Sequence, residues 1–496
     1  MAAACMMTGG EGLQTNRFSG SDQKMKKLVC LLVLLLLPCL AAGCRSATEK
    51  ENAAEETSAA LSEAEKDSVR DDPLWADPDS MTAVIVSDLH YTQIQGLDHS
   101  LVPGIALAQE ITDAILEEVL DRHPDVLIMT GDNTNTGDPA DVSALVKKLQ
   151  RLRVAGIGII LITGNHDFDL MDAAAFESAY FGLLDPVDRD PASLSYTSIV
   201  KDVVFLAMDD NAVWPGGQGE FSAKTMKWLE DMLDKYWGRK IIFLSHHNVQ
   251  YGYGEEDTSF HLIQNPELPS LLRDKGVCLA FTGHMHFQYI MEKDGLWEVL
   301  SGMPFSGGHF IGNLAVSRGR ALYYADPVDF ASYGKMVETA SAGADTDTGD
   351  ADTGQKNTGN TDIGDTNTGN TTTGNVDTWQ KNVGNKITLQ EELERLDQEN
   401  AASMEQIFTA ILEREGVHGV RRKKTVDLIS KYMLYYADGT LAEHTEELRK
   451  DPACKGMIRA LWDYNYGPWM KEMIETTTHS ARELEVVFPS QSDELP

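Results

Sequence analysis

Along most of this chain apolar and polar positions follow one of two rhythms. Short β-branched apolar runs at residues 82–86, 126–129, 159–162, 194–200, 203–208, 241–244, 277–281 and 322–325 have the length and composition of buried strands. Between them, apolar residues recur at helical spacing over residues 105–120, 141–154, 225–236 and 266–273. Strands alternating with helices predict an α/β fold. The rhythm stops where Gly349, Gly354, Gly359, Gly364, Gly369 and Gly374 recur every five residues among Thr, Asp and Asn. Almost no apolar side chain is present there to offset the entropy of ordering, so a disordered linker is expected. Helical spacing resumes after Thr388-Leu389-Gln390-Glu391, a capping-box pattern. Leu393, Leu396, Met404, Ile407, Ile411 and Leu412 follow, then similar runs at 426–436 and 457–462, which predict a small α-helical C-terminal region.

Ahead of the first strand, Met25-Lys26-Lys27, an apolar run over residues 28–40 and Ala41-Ala42-Gly43-Cys44 have the order of a bacterial lipoprotein signal. The run is too short for an ordinary membrane span. Cys44 is therefore the expected lipidation site, and the protein is expected on the extracytoplasmic face of the cell membrane, held there by its N-terminal lipid. The resulting plan is a signal peptide over 1–44, an acidic tether over 45–80, an α/β domain over 81–337, a linker over 338–387 and a helical region over 388–496. A formal net charge of −35 argues against nucleic acid as a partner, because phosphate backbones need a basic surface. Of six cysteines only Cys278 and Cys454 lie beyond the leader, so no disulfide framework is implied, and a single bridge between those two stays open.

Chemistry concentrates in five short segments: Ser87-Asp88-Leu89-His90, Thr130-Gly131-Asp132-Asn133, Thr163-Gly164-Asn165-His166-Asp167, Ser245-His246-His247 and Thr282-Gly283-His284-Met285-His286. Four of them directly follow apolar strand-like runs. In an open α/β sheet, ligands bind beyond the carboxyl ends of the strands, so these distant residues are expected to meet at one edge. Asp88 and His90 lie two apart and would point the same way in extended backbone, as would His284 and His286. Imidazole and carboxylate donors with no cysteine favour Fe, Mn, Zn, Co or Ni over Ca or Cu(I). Asp88, His90, Asp132, Asn165, His246, His284 and His286 are too many donors for one tetrahedral zinc. They suit two ions about 3.5 to 4 Å apart. No Gly-x-Ser-x-Gly elbow or Walker loop offers a rival nucleophile or phosphate cradle.

The ordered set D-x-H, GD, GNHD, H and GHxH resembles the calcineurin-like metallophosphoesterase superfamily over roughly residues 81–325. That resemblance implies a four-layer αββα sandwich and a metal-dependent phosphoester hydrolase. It further implies that Asp88, His90 and His286 hold one metal, that Asn165, His246 and His284 hold the other, and that Asp132 lies between them. The ions would be divalent or mixed-valence transition metals, Mn, Fe, Zn or Co. His166 matches a family histidine beside the scissile phosphate. Of the adjacent pair, His246 is the expected ligand because it directly follows the strand-like run, and His247 is a candidate substrate contact. Asp167 could orient His166 or serve a loop or cap. His309 reads either as a surface-loop residue or as a substrate contact. Asn135 stands where purple acid phosphatases place an iron-binding tyrosine, which argues against a ferric-tyrosinate centre. The run Gly131-Asp132-Asn133-Thr134-Asn135-Thr136-Gly137 is similar to the GDLT-x-x-G pattern of bacterial cyclic-nucleotide and glycerophosphodiester phosphodiesterases, which favours diesters. A phosphomonoesterase, nucleotidase or pyrophosphatase of the same fold, and a catalytically inactive surface-binding lipoprotein, are the alternatives. The expected partner is a small-molecule or cell-surface phosphoester, and oligomeric state cannot be read.

Overall fold

The structure, a computed structural model, describes residues 69–93, 103–250, 261–305, 308–338, 386–437, 439–462, 466–477 and 480–489. The signal-like segment with Cys44, the acidic stretch up to residue 68 and the glycine repeat lie outside the described residues.

The chain first lays down three parallel strands, β1 (Met81–Val86), β2 (Val126–Met129) and β3 (Gly158–Leu161), in register so that Val86 pairs with Met129 and Met129 with Leu161. Helices Ala108–Arg122 and Pro139–Val154 make the crossovers. The second begins at Pro139 because Asp138 accepts the Ala140 N–H at 2.8 Å and proline suits a first helical position. A second sheet follows: β4 (Asp188–Arg189), β5 (Tyr196–Val200), β6 (Val203–Ala207), β7 (Lys240–Leu244), β8 (Leu279–Thr282), β9 (Tyr289–Lys293) and β10 (Leu296–Leu300). Its order is β4-β5-β6-β7-β8-β10-β9, with β6, β7, β8 and β10 parallel. The chain then returns to the first sheet with β11 (Phe310–Ser317), antiparallel to β1, and β12 (Arg320–Pro327).

Alternation on β6 shows why the sheets stack. Val203, Phe205 and Ala207 enter the core shared with the first sheet, whereas Val204 and Leu206 pack with Leu229 and Leu233 of the outer helix Ala223–Lys235. Burying a side chain of this size contributes about 1.5–3 kcal/mol. The layers run helix, sheet, sheet, helix, which is the expected αββα sandwich.

One expectation about its surroundings needs correction and two are sharpened. Residues 69–80, expected as the end of a solvated tether, are docked on the first sheet. Leu74 packs against Ala315 and Leu322, the Trp75 ring meets Tyr324 edge-on at 4.8 Å, and Arg70 pairs with Asp326 and Glu483. The expected linker over residues 338–387 is described only at its ends, residue 338 and residues 386–387. The strands that flank it, β13 (Met336–Glu338) and β14 (Lys386–Thr388), pair antiparallel with Glu338 opposite Lys386, so the chain leaves and re-enters at one place. The C-terminal region is not wholly helical. Helices Leu389–Arg414, Gly419–Ala437, Leu441–Lys450, Pro452–Ala460 and Tyr466–Thr476 are followed by β15 (Glu483–Val487), which adds to the first sheet beside β12. Leu484 and Val486 of this strand face the core, an alternation that the sequence displays. The Thr388–Glu391 capping box is present as expected. Tyr432 and Tyr436 are buried in the helical core. Cys278 and Cys454 are buried and free, so the bridge between them is not formed.

Candidate metal centre

Both parallel units deliver polar side chains to one edge. β1, β2 and β3 end just before Asp88, Asp132 and Asn165; β6, β7 and β8 end just before Asp210, His246 and His284. The structure brings all seven expected donors together. Single ligand atoms of Asp88, His90, Asp132 and His286 lie within 4.8 Å of one another. Beside them, Asn165 Oδ1 is 3.1 Å from His246 Nε2 and 3.1 Å from His284 Nδ1, and His246 Nε2 is 3.3 Å from Asp132 Oδ2. Asp132 therefore touches both groups.

Convergence does not come from extended backbone as expected. Asp88, His90, Asp132, His284 and His286 all have positive φ, between 39° and 69°. A left-handed residue other than glycine costs about 1–3 kcal/mol and persists where its surroundings over-determine it. Here they do: His284 N–H donates to Asp88 at 3.1 Å, His90 N–H to the Asp132 carbonyl at 2.8 Å, and His166 N–H to Asp132 Oδ1 at 2.8 Å. Gly283 allows the close approach, since a Cβ there would lie 2.1 Å from Ser87 Oγ and 2.7 Å from Asp88 Oδ2.

The residues fit a cation-binding role. Asp132 Oδ2 is buried and takes no hydrogen bond from a described residue, although His246 and His90 face it at 3.3 and 3.6 Å. His246 Nδ1–H donates to the Thr130 carbonyl at 2.9 Å, which turns Nε2 toward the cluster, the arrangement by which second partners orient metal-binding histidines. Burial by itself would raise the Asp132 carboxyl and lower His246. The charge of His246 and His166 instead holds Asp132 well below the usual carboxylate range, and Asp132, Asp88 and Asp210 push His246 up to about 10. Burial drives His90 down to about 3 and His284 well below its ordinary value. The cluster thus concentrates negative potential at Asp132 and draws positive charge, while the His90 and His284 imidazoles stay neutral and able to ligate.

The remaining candidates are placed as follows. His166 lies at the half-exposed rim, its Nδ1 3.1 Å from the Asn135 carbonyl and its ring edge-on to His90 at 4.8 Å. His247 is fully buried behind His284, with ring centroids 4.3 Å apart and Nδ1 3.3 Å from Asp210 Oδ1, so it does not reach an open surface. His309 lies at the seam with the C-terminal helices, its two ring nitrogens at 2.9 Å from the Pro304 carbonyl and 3.0 Å from Asp397. Asp167 does not orient His166. It is buried and accepts from Asn133 N, Thr134 N and Gly164 N, from Asn133 Nδ2 at 2.8 Å and from Thr134 Oγ1 at 2.9 Å. The polar Asn133, where the family pattern is apolar, is explained by that pairing.

Sequence reasoning missed Asp210. Its carboxylate accepts the backbone N–H of His246 at 3.0 Å and of His247 at 2.8 Å, anchoring the segment that carries a donor. It follows the apolar run ending at Met208, so the strand-end rule applied to the other segments would have found it.

Residues 81–288 match the family model Calcineurin-like phosphoesterase. A protein of Psychrobacter arcticus named "Probable cyclic nucleotide phosphodiesterase" is 24% identical over 226 residues, covering 44% of this chain and 78% of that protein. Similar solved structures include a dimetal phosphatase from Danio rerio, 13% identical with a TM-score of 0.39 over 49% of this chain and 95% of the other. A purple acid phosphatase from yellow lupin (Lupinus luteus) is 13% identical with a TM-score of 0.34 over 52% of each chain. Built on the αββα sandwich and its edge of clustered Asp and His, residues 81–288 match that phosphoesterase family, and the chain is a hydrolase acting on phosphoester bonds.

Proposed function

We propose that the chain is a phosphodiesterase working with two transition-metal ions. Asp88, His90 and His286 would hold one ion, Asn165, His246 and His284 the second, and Asp132 would bridge. The observation that carries this reading is the convergence of seven N and O donors around a buried Asp132 oxygen that takes no hydrogen bond from a described residue. Such ions supply Lewis acidity to the phosphoryl oxygens and lower the pKa of a water toward neutrality for in-line attack. The donor set suits Mn, Fe, Zn or Co. The chain's own residues do the rest. Asp132 holds the His166 backbone through Oδ1, and the Asn135 carbonyl engages His166 Nδ1–H. Nε2 is then the nitrogen left for substrate; protonated, it donates to the leaving oxygen.

A diester substrate is supported by the Gly131–Gly137 pattern and by the name of the Psychrobacter relative. With manganese-loaded protein, bis(p-nitrophenyl) phosphate should be hydrolysed with a kcat/KM at least about tenfold above that for p-nitrophenyl phosphate. The reverse ranking would move the reading to a phosphomonoesterase, nucleotidase or pyrophosphatase. No turnover of either, with both ions bound, would move it to a non-catalytic binding protein.

We also propose lipid anchoring at Cys44 on the extracytoplasmic face, with a small-molecule or cell-surface phosphoester as substrate. The order of charged, apolar and small residues over 25–44 supports it. Among the described residues no helix is long and apolar enough to cross a membrane. Mass spectrometry of the mature N-terminal peptide should find a lipid on Cys44, and an unmodified cysteine there would overturn the anchor.

A further inference from the structure

The segment that carries His284 and His286 has a second face. Along it the side chains alternate: His284 and His286 turn to the metal cluster, whereas Met285, Phe287 and Tyr289 are 8%, 6% and 6% exposed and buried among the C-terminal helices. The Phe287 ring lies 4.9 Å from that of Tyr436 in helix Gly419–Ala437. Tyr289 Oη is 3.1 Å from Thr477 Oγ1, just past helix Tyr466–Thr476. Gln288 Nε2 donates to the Ala481 carbonyl at 3.0 Å, in the turn that leads to β15. Three separate stretches of the C-terminal region thus grip six consecutive residues that include two donors in left-handed backbone. On the metal side the same residues are tied through His284 N–H to Asp88.

We propose that the C-terminal helical region is a positioning element of the metal centre: it seats Met285, Phe287 and Tyr289 so that His284 and His286 face the ions at a fixed rotation. The inference rests on the two-metal reading above. Because His284 serves one proposed ion and His286 the other, a single apolar seat sets both sites. Met285 and Phe287 act through their neighbours and touch no reacting atom. Loosening the seat lets both imidazoles rotate off their ions without removing a donor, so metal affinity falls while donor chemistry is intact.

The test is calorimetric titration of Mn²⁺ into the metal-stripped full chain, with bound metal counted by elemental analysis and folding followed by circular dichroism. Phe287→Ala and Tyr436→Ala should each weaken manganese binding by about tenfold or more, the range seen when groups that orient metal ligands are lost. Phe287→Leu, which refills most of the volume, should restore affinity to within about threefold. Leu229→Ala, on the buried face of the outer helix of the second sheet, should lower the melting temperature without changing affinity. If Phe287→Ala does not fold, Met285→Ala removes less volume and asks the same question. Alanine variants that melt earlier yet bind manganese within about twofold of wild type would overturn the inference alone. Wild-type protein that binds no manganese would overturn the two-metal reading and this inference with it.

Discussion

On the first-sheet side, the segments bearing Asp132 and Asn165 are laced by one buried carboxylate: Asp167 accepts three backbone N–H groups and two side-chain donors from residues 133, 134 and 164. On the second-sheet side, Asp210 anchors His246 in a similar way, but the segment bearing His284 and His286 leans on Phe287, Tyr289 and Tyr436. A hydrogen-bonded carboxylate fixes direction and depends on charge. An apolar seat fixes position and depends on volume. The two halves of one centre should therefore fail differently, the first with pH and the second with cavity size.

The largest effect should come from Asp132, because its Oδ2 faces both donor groups. Asp132→Ala is expected to lower kcat/KM for bis(p-nitrophenyl) phosphate by about a thousandfold or more, and His286→Ala to act in the same direction. Elemental analysis should show the Asp132 variant holding fewer ions than wild type. Activity within about tenfold of wild type for Asp132→Ala would mean that the halves do not share a bridge, and the comparison would lose its basis.

A smaller effect distinguishes the polar half. Burial first, and the charge of Asp132 second, push the Asp167 carboxyl up to about 6 against the donors that pull it down. A carboxyl raised above its unfolded value contributes stability that is fully present below about pH 4 and is lost as pH rises through about 6. The stability advantage of wild type over Asp167→Asn, measured by urea unfolding of metal-stripped protein, should therefore shrink between pH 4 and 7 by up to roughly 3 kcal/mol. The corresponding advantage over Tyr436→Ala should stay flat across that range. Parallel pH profiles for the two variants would erase the distinction between the halves.

How much of this was legible in the sequence follows the same division. The donors announce themselves, because Asp, His and Asn directly after β-branched runs have few structural uses and the strand-end rule brings them together. Asp210 obeys the same rule, two residues after the apolar run that ends at Met208. The left-handed backbone of Asp88 and His90 was not legible: the identities of the residues do not reveal the hydrogen bonds that force the conformation. Nor was the seat. Met285 and Phe287 carry no donor, and the ring partner of Phe287, Tyr436, lies about 150 residues on, beyond the glycine repeat, where local periodicity carries no information about docking. β15 was hidden for a related reason, since a five-residue alternation after a helical region gives no sign of which sheet it will join.

The smallest expected effect concerns the glycine-rich segment. Were the C-terminal helices a separate body on a tether, its length would govern how well they reach the His284–Tyr289 segment. The pairing of Glu338 with Lys386 says otherwise: the ends are already adjacent, and β12 pairs β15 from the far end of the region. Two antiparallel strands in this register can be joined by a two-residue Asn-Gly turn. Replacing residues 339–385 with that turn should leave diester hydrolysis, manganese affinity and melting temperature close to those of the full chain. A drop in manganese affinity would show that the second half of the centre depends on the excised segment as well as on the apolar seat. Unchanged affinity, set against the loss expected for Phe287→Ala, would place the support of His284 and His286 in the direct contacts of Phe287, Gln288 and Tyr289.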